Sequence, residues 1–412
     1  MAASDVYPPV QEEVARLAAA PEVRAAFERF RAQESKFALW QIEATRVAAP
    51  PFGEEARGAW LADRFRDLGL IDVHVDEVGN VFGVRPGCGS RFVSLSAHID
   101  TVFPAATPLN IRQEGSRLYG PGVSDNGAGI AAMLAVASVL ATSRISHASP
   151  FVFIGNVGEE GEGDLRGMRQ VFATPRWRDG IAYSVIVDGA GSDTVVAEAL
   201  GSRRFEIIVR GPGGHSWSDF GTPSPIIALA RAIEILSQTP VPASPKTTFN
   251  VGVIRGGTSV NSIPESASMR VDLRSTSSAE IDRLERALRD ALDRAVGQEN
   301  KASAQQKGRK PQIVQSEIVE IGNRPGGELS PNARLLRVLR AVDTHLGNSA
   351  QVQRASTDAN IPLSLGREAL AIGGGGSGGG AHTLQEWFDC NGRELGLRRI
   401  LLTMLTLSGV GE

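Results

Sequence analysis

Two imidazoles and a set of carboxylates fall in five short stretches of this 412-residue chain, four of which follow a buried run or open a helix. They are His98 and Asp100 in Ser96-Ala-His-Ile-Asp100, Asp125 in Ser124-Asp-Asn126, Glu159 and Glu160 after Gly158, Asp188 after Val187, and His382 after Ala381. A mixed nitrogen and oxygen donor set suits a divalent metal that must keep a position open to water and substrate. Zn²⁺ favours such a set, and Co²⁺ or Mn²⁺ accept it. The chemistry this allows is metal-assisted hydrolysis, with two ions. Taken singly, each residue has a plainer reading: an Asp at a helix start is usually a cap, and a glutamate pair usually faces solvent. Here Glu159 and Glu160 follow an apolar run and sit among glycines, where like charges repel unless a cation lies between them.

These residues need elements that bring them together. Phe92–Ala97, Phe151–Val157, Ser184–Val187 and Glu368–Ile372 read as strands, and Gly127–Leu140, apolar on nearly every face, reads as a helix buried between layers. Alternation of this kind predicts an α/β fold: a central mixed, mostly parallel sheet with helices on both faces. Functional groups of such sheets gather at the carboxyl ends of the strands, which is where these donors fall. Residues Gln11 to Leu70 have helical spacing, broken by the turn at Ala49-Pro-Pro-Phe-Gly53.

Near Gly201 the pattern changes. Strand-like Arg203–Arg210, helical Pro223–Leu236, strands Thr247–Ile254 and Ala267–Leu273, a capping box at Ser277-Ser-Ala-Glu280 opening a helix, and a last strand Gln312–Ile321 spell β-α-β-β-α-β. A polar stretch, Gly297–Lys310, precedes that last strand. The expectation is a ferredoxin-like domain at 201–322, inserted into a domain made of 1–200 and 323–412.

The glycine tract Gly373–Gly380 invites other readings. Gly375-Gly-Ser-Gly-Gly379 fits the pattern of a nucleophile elbow with Ser377, but only His382 lies downstream to serve as a base, five residues on. A phosphate loop would need a following lysine. A backbone-rich loop that carries His382 into place is the simpler account. His74, His147 and His345 read as surface residues. A net charge of -3 gives no basic field for nucleic acid or an anionic membrane. No apolar run approaches a membrane span, Met1–Pro9 lacks the regions of a signal peptide, and Cys88 with Cys390 makes no disulfide framework. The expected setting is soluble and cytoplasmic.

The stretches Ser96-Ala-His-Ile-Asp-Thr-Val-Phe-Pro104, Gly122-Val-Ser-Asp-Asn-Gly-Ala-Gly129, Gly158-Glu-Glu-Gly161, Val187-Asp-Gly-Ala190, Gly213-Gly-His-Ser216 and Gly379-Gly-Ala-His-Thr383 together resemble a zinc hydrolase superfamily. That superfamily contains aminopeptidases such as peptidase T, aminoacylase, acetylornithine deacetylase, succinyl-diaminopimelate desuccinylase and glutamate carboxypeptidase. The resemblance implies that Asp125 bridges two metal ions, with His98 and Asp188 completing one and Glu160 and His382 the other. It implies that Asp100 accepts the second ring proton of His98, and that Glu159 is general base toward a metal-bound water. It also implies a cis peptide at Asp125-Asn126. His215 would reach the active site of a partner subunit and stabilise the oxyanion, making the inserted domain both lid and dimerisation surface. Asn261 would contact substrate. Arg274 could meet a substrate carboxylate, with an ion pair to a nearby Asp as its plainer role. The activity expected is that of a di- or tripeptidase of the peptidase T-like branch, acting on small peptides. N-acyl-amino-acid deacylation, or a catalytically silent binding protein on the same fold, are the alternatives.

Overall fold

Helix Gly127–Ala141 has no polar face, and every residue from Gly127 to Leu140 is buried. Such a helix must be covered all round. It packs against strand Phe92–His98 and against helices Pro21–Ala32, Glu34–Arg46 and Arg393–Ser408. The computed structural model describes residues 9–304 and 312–409; the signal-peptide reading of Met1–Pro9 rests almost wholly on residues outside them, as does the end of the Gly297–Lys310 stretch. By its internal contacts the chain divides into one unit of Met1–Ala199 with Gly327–Glu412 and a second of Leu200–Gly326.

In the first unit, strands Phe151–Asn156, Phe92–His98, Ile181–Val187 and Glu368–Ile372 lie side by side in that order, all parallel. They are almost continuously buried, as strands covered on both faces must be. Antiparallel strands flank them: Val81–Arg85 on one side and Thr194–Ala199 on the other, within a nine-stranded mixed sheet of the described residues. Helix Glu55–Asp67 approaches so closely that a Cβ on Gly155 would stand 2.1 Å from Leu61 Cδ2. This is the α/β architecture expected, and the parallel core sends the C-terminal ends of four strands to one edge.

The second unit runs Gly201–Arg210, helix Pro225–Ser237, Thr247–Gly256, Ser266–Ser275, helix Ser278–Ala304 and Gln315–Arg324. Its four-stranded sheet has the order Thr247–Gly256, Ser266–Ser275, Gly201–Arg210, Gln315–Arg324, antiparallel throughout, which is the ferredoxin-like arrangement. Leu284, Leu288 and Leu292 of the long helix meet Phe205, Ile207 and Met269 of the sheet in a core of its own.

Some local expectations were wrong. The long helix runs on to Ala304, through the start of the stretch that read as a polar connection, because the continuing turns still bury Ala295 and Glu299. The capping box does not close: the Glu280 carboxylate takes a bond from Arg283 at 2.9 Å instead. His147 is not a surface residue. Its ring stacks on Phe151 at 4.1 Å and accepts a bond from Arg85 Nε at 3.0 Å, and burial lowers its proton affinity. Among the described residues no helix is long and apolar enough to cross a membrane, and both cysteines are free.

Candidate metal centre

His98 is the last residue of its strand and pairs in register with Asn156, so the loop that carries Glu159 and Glu160 leaves the sheet beside it. Asp188 follows the next parallel strand, and Asp125 precedes the buried helix by two residues. His382 arrives through the glycine loop with φ 65. Distant segments thus meet at one edge.

Asp125 is the point of convergence. Its Oδ1 lies 3.2 Å from His98 Nε2, and its Oδ2 lies 3.0 Å from His382 Nε2. His98 Nε2 is also 3.7 Å from Asp188 Oδ1, and His382 Nε2 is 3.1 Å from Glu160 Oε1. Two donor groups result, His98–Asp125–Asp188 and Asp125–Glu160–His382, each with its donor atoms within 4.8 Å of one another. Bonds of about 2.0–2.1 Å to a tetrahedral ion would set its donors roughly 3.3 Å apart, close to these separations. Three protein donors per ion leave a fourth position open.

Electrostatics test the fit independently. Asp125 Oδ1 is buried with no hydrogen-bond partner. Burial, then the charge of Asp125, pushes Glu160 up to about 7. Burial would raise Asp125, but the bond from His382 and the nearby His98 ring outweigh it and hold that carboxyl well below its usual range. His382 is raised to about 9, first through its bond to Asp125. Burial would lower His98, yet Asp100, Asp125 and Asp188 raise it well above an ordinary imidazole. Protons on two imidazoles offset the crowded carboxylates; divalent cations would do so better. The residues therefore fit a pair of metal ions.

The surrounding scaffold is more elaborate than the motifs suggest. The Asp100 carboxylate accepts the backbone N–H groups of Glu159 (3.0 Å) and Glu160 (2.8 Å), fixing the loop that bears both glutamates. It stands 3.6 Å from His98 Nδ1, and the nearer acceptor for that nitrogen is the Asp100 carbonyl at 3.2 Å. Asn126, joined to Asp125 by a cis peptide, donates to the Val187 carbonyl at 2.9 Å and accepts from Gly189 and Gly129 at 3.0 and 3.1 Å. One amide so ties the helix start to the Asp188 loop. Arg57, fully buried and lowered to about 10 chiefly by that burial, binds the carbonyls of Val47 and Ile99 and pins the turn after His98.

Sequence reasoning missed two acids. Glu386 is fully buried and accepts backbone N–H groups from Gly122 (2.8 Å), Ser124 (2.7 Å) and Asp125 (2.8 Å), so it holds the Asp125 loop from below. Burial pushes it up to about 7, against the pull of those three bonds. Asp358, also fully buried, takes a 2.6 Å bond from Asn156 Nδ2. The spacing of Glu386 four residues after His382 was the available clue; Asp358 sits in a turn-like stretch with no clue at all. Ser377 begins a short strand paired with Asp389, not a helix, so the elbow reading fails.

In the second unit, His215 is exposed, its Nδ1 facing the N–H of Trp217 at 3.2 Å. Asn261 is exposed and accepts from Ser259 Oγ at 2.5 Å. Arg274 pairs with Asp272 at 2.6 Å, the plainer of its two roles.

Comparison with known proteins adds a second kind of finding. The family model for peptidase family M20/M25/M40 matches residues 94–405. A "probable carboxypeptidase" of Aspergillus clavatus is 31% identical over 252 residues, 54% of each chain. Succinyl-diaminopimelate desuccinylase of Pseudoalteromonas atlantica is 27% identical over 206 residues, 46% of this chain and 54% of that one. The chain spans about half the length of the curated relatives it matches. The crystal structure of aminopeptidase PepT from Bacillus cereus superposes with a TM-score of 0.71 at 20% identity, covering 91% of this chain and 99% of that one. That likeness is one of fold.

Proposed function

The chain belongs to peptidase family M20/M25/M40, and on that premise we propose that it is a metal-dependent hydrolase of the amide bond in small peptides, of di- or tripeptidase type. The observation that carries this reading is the Asp125 carboxylate, with one oxygen on each of two histidine-containing donor groups. His98 and Asp188 would hold one divalent ion, Glu160 and His382 the other, and Asp125 both; zinc is the first candidate, cobalt or manganese the next. Bound there, the ions would acidify a water molecule and polarise the scissile carbonyl.

Glu159 then acts as general base. Its backbone is fixed by Asp100 while its side chain stays out of both donor groups. It takes a proton from the attacking water and returns it to the leaving nitrogen. The second unit serves as lid and dimerisation surface in this account. What supports it is the edge strand Thr247–Gly256, which among the described residues pairs with a neighbour on one side alone and exposes Val253 and Ile254. His215 and Asn261 belong to its substrate-facing duties, with His215 stabilising the oxyanion across a homodimer, while Arg274 stays paired with Asp272.

A second reading, removal of an acyl group from an N-acyl amino acid, draws support from the desuccinylase relative. The test is to strip metal with a chelator, restore Zn²⁺ or Co²⁺, and assay small peptides beside N-acyl amino acids. Peptide hydrolysis should vanish and return. Turnover of the acylated compounds alone would favour the second reading, and no turnover of either would leave a binding protein.

A further inference from the structure

Beside the candidate metal ligands the first unit has a cleft of about 470 Å³ whose described lining includes Asp125, Asp188 and Asp193. The rest of that lining is small: glycines, alanines and the hydroxyls of Ser124, Ser192 and Ser377. No lysine or arginine is among the described residues that line it. The walls are set by backbone packing. A Cβ on Gly378 would stand 2.4 Å from Ser124 Oγ, and one on Gly376 would stand 2.5 Å from the Asp389 carbonyl. Such small walls supply no cation of their own.

Asp125 and Asp188 are committed to the donor groups, but Asp193 is not. Its main chain is anchored, since its carbonyl accepts the Gln351 N–H at 2.8 Å. Its carboxylate folds toward Gly191, with Oδ1 3.1 Å from where a Cβ there would lie. No hydrogen bond or ion pair engages that carboxylate among the described residues. An uncompensated negative charge in a cleft of backbone and hydroxyls favours a small cationic group and disfavours a carboxylate.

We propose that this cleft receives the free α-ammonium group of the substrate, with Asp193 as the residue that selects it, so that peptides with an unblocked N-terminus are taken ahead of N-acylated amino acids. The inference rests on the hydrolase reading above and decides between its two substrate classes. An ammonium there donates a charge-assisted hydrogen bond to Asp193 and further bonds to serine hydroxyl oxygens. An acylated nitrogen carries no charge to pair with Asp193.

The test compares wild type with Asp193→Asn in two measurements on the metal-loaded protein. The first is kcat/KM on alanyl-alanine and on N-acetylalanine. The second is calorimetric binding of a phosphinic isostere of alanyl-alanine with a free amine, and of the same isostere N-acetylated. Because Asp193 is exposed to solvent, the substitution should lower the ratio of free-amine to acetylated kcat/KM by about three- to tenfold, through KM. The isostere affinities should shift in ratio by the same factor. An unchanged ratio in both measurements, or a wild-type preference for the acetylated compounds, overturns the proposal. If nothing is hydrolysed yet the free-amine isostere binds with an Asp193-dependent preference, the hydrolase reading fails and the ammonium subsite stands. If hydrolysis proceeds with no such preference, the subsite fails and the hydrolase reading stands.

Discussion

Glu386→Gln isolates the scaffold that presents Asp125. In the wild type both carboxylate oxygens accept backbone N–H groups, one from Gly122 at 2.8 Å and the other from Ser124 and Asp125 at 2.7 and 2.8 Å. Glutamine can keep its oxygen toward Ser124 and Asp125, but its NH₂ then faces the Gly122 N–H, donor against donor. A hydrogen bond to a charged group contributes roughly 1.5–3 kcal/mol, and the two survivors lose their charge assistance. The expected cost is therefore about 2–4 kcal/mol, a large share of the roughly 5–15 kcal/mol that holds a typical protein folded. Urea unfolding of the metal-free protein at pH 8 measures it, and competition with a chromophoric chelator measures the zinc affinity. Affinity should fall about 10- to 100-fold, as it does when groups that orient metal ligands are lost. Since burial pushes Glu386 up to about 7, the folded wild type takes up a proton below that pH that the unfolded chain does not hold, so wild-type stability rises and the gap to the pH-independent glutamine should widen at pH 5.5. A variant within about 0.5 kcal/mol of wild type at pH 8, with unchanged zinc affinity, would refute the reasoning.

Other consequences follow from the same geometry. Glu159→Gln should lower turnover by about 10²- to 10⁴-fold while zinc content, read by elemental analysis, stays at wild-type level; lost zinc would make Glu159 a ligand instead. Burial pushes Asp358 up to about 7, so between its ordinary carboxyl value and that pH the folded chain keeps a proton the unfolded chain has shed. Metal-free stability should thus decline as pH rises through that window, and Asp358→Asn should flatten the decline, gaining up to about 4 kcal/mol at pH 8 in denaturant melts. Gly129→Ala would normally favour a helix, but here the new Cβ would lie 2.1 Å from Asn126 Oδ1 and 2.7 Å from the Val187 carbonyl. It should destabilise the protein by about 1–3 kcal/mol and lower metal affinity, both absent if the Asn126 clamp is unimportant.

Much of this was legible because the donors sit where apolar runs stop. His98, Asp188 and the Glu159–Glu160 pair each follow a strand whose composition announces burial on both faces, and parallel strands share an edge. The helix from Gly127 was equally plain, since a stretch without a polar face has nowhere to go but inside. What stayed hidden were residues that act through backbone groups. Glu386 precedes a strand of only three residues, Trp387–Asp389, too short to leave a period, and its three partners lie more than 250 positions away. Asn126 caps the buried helix, yet its remaining bonds reach residues some 60 positions on, which local pattern cannot register. The second task of Asp100, holding the Glu159–Glu160 backbone, was invisible for the same reason. His147 misled because its loop is polar while its ring lies flat on a buried phenylalanine.

The most direct measurement is a crystal structure of the protein grown with excess zinc, with anomalous scattering recorded at the zinc edge. Two peaks should flank the Asp125 carboxylate, one within bonding distance of His98 and Asp188 and the other of Glu160 and His382. A single peak, or zinc bound only at sites that Asp125 does not touch, would contradict the account.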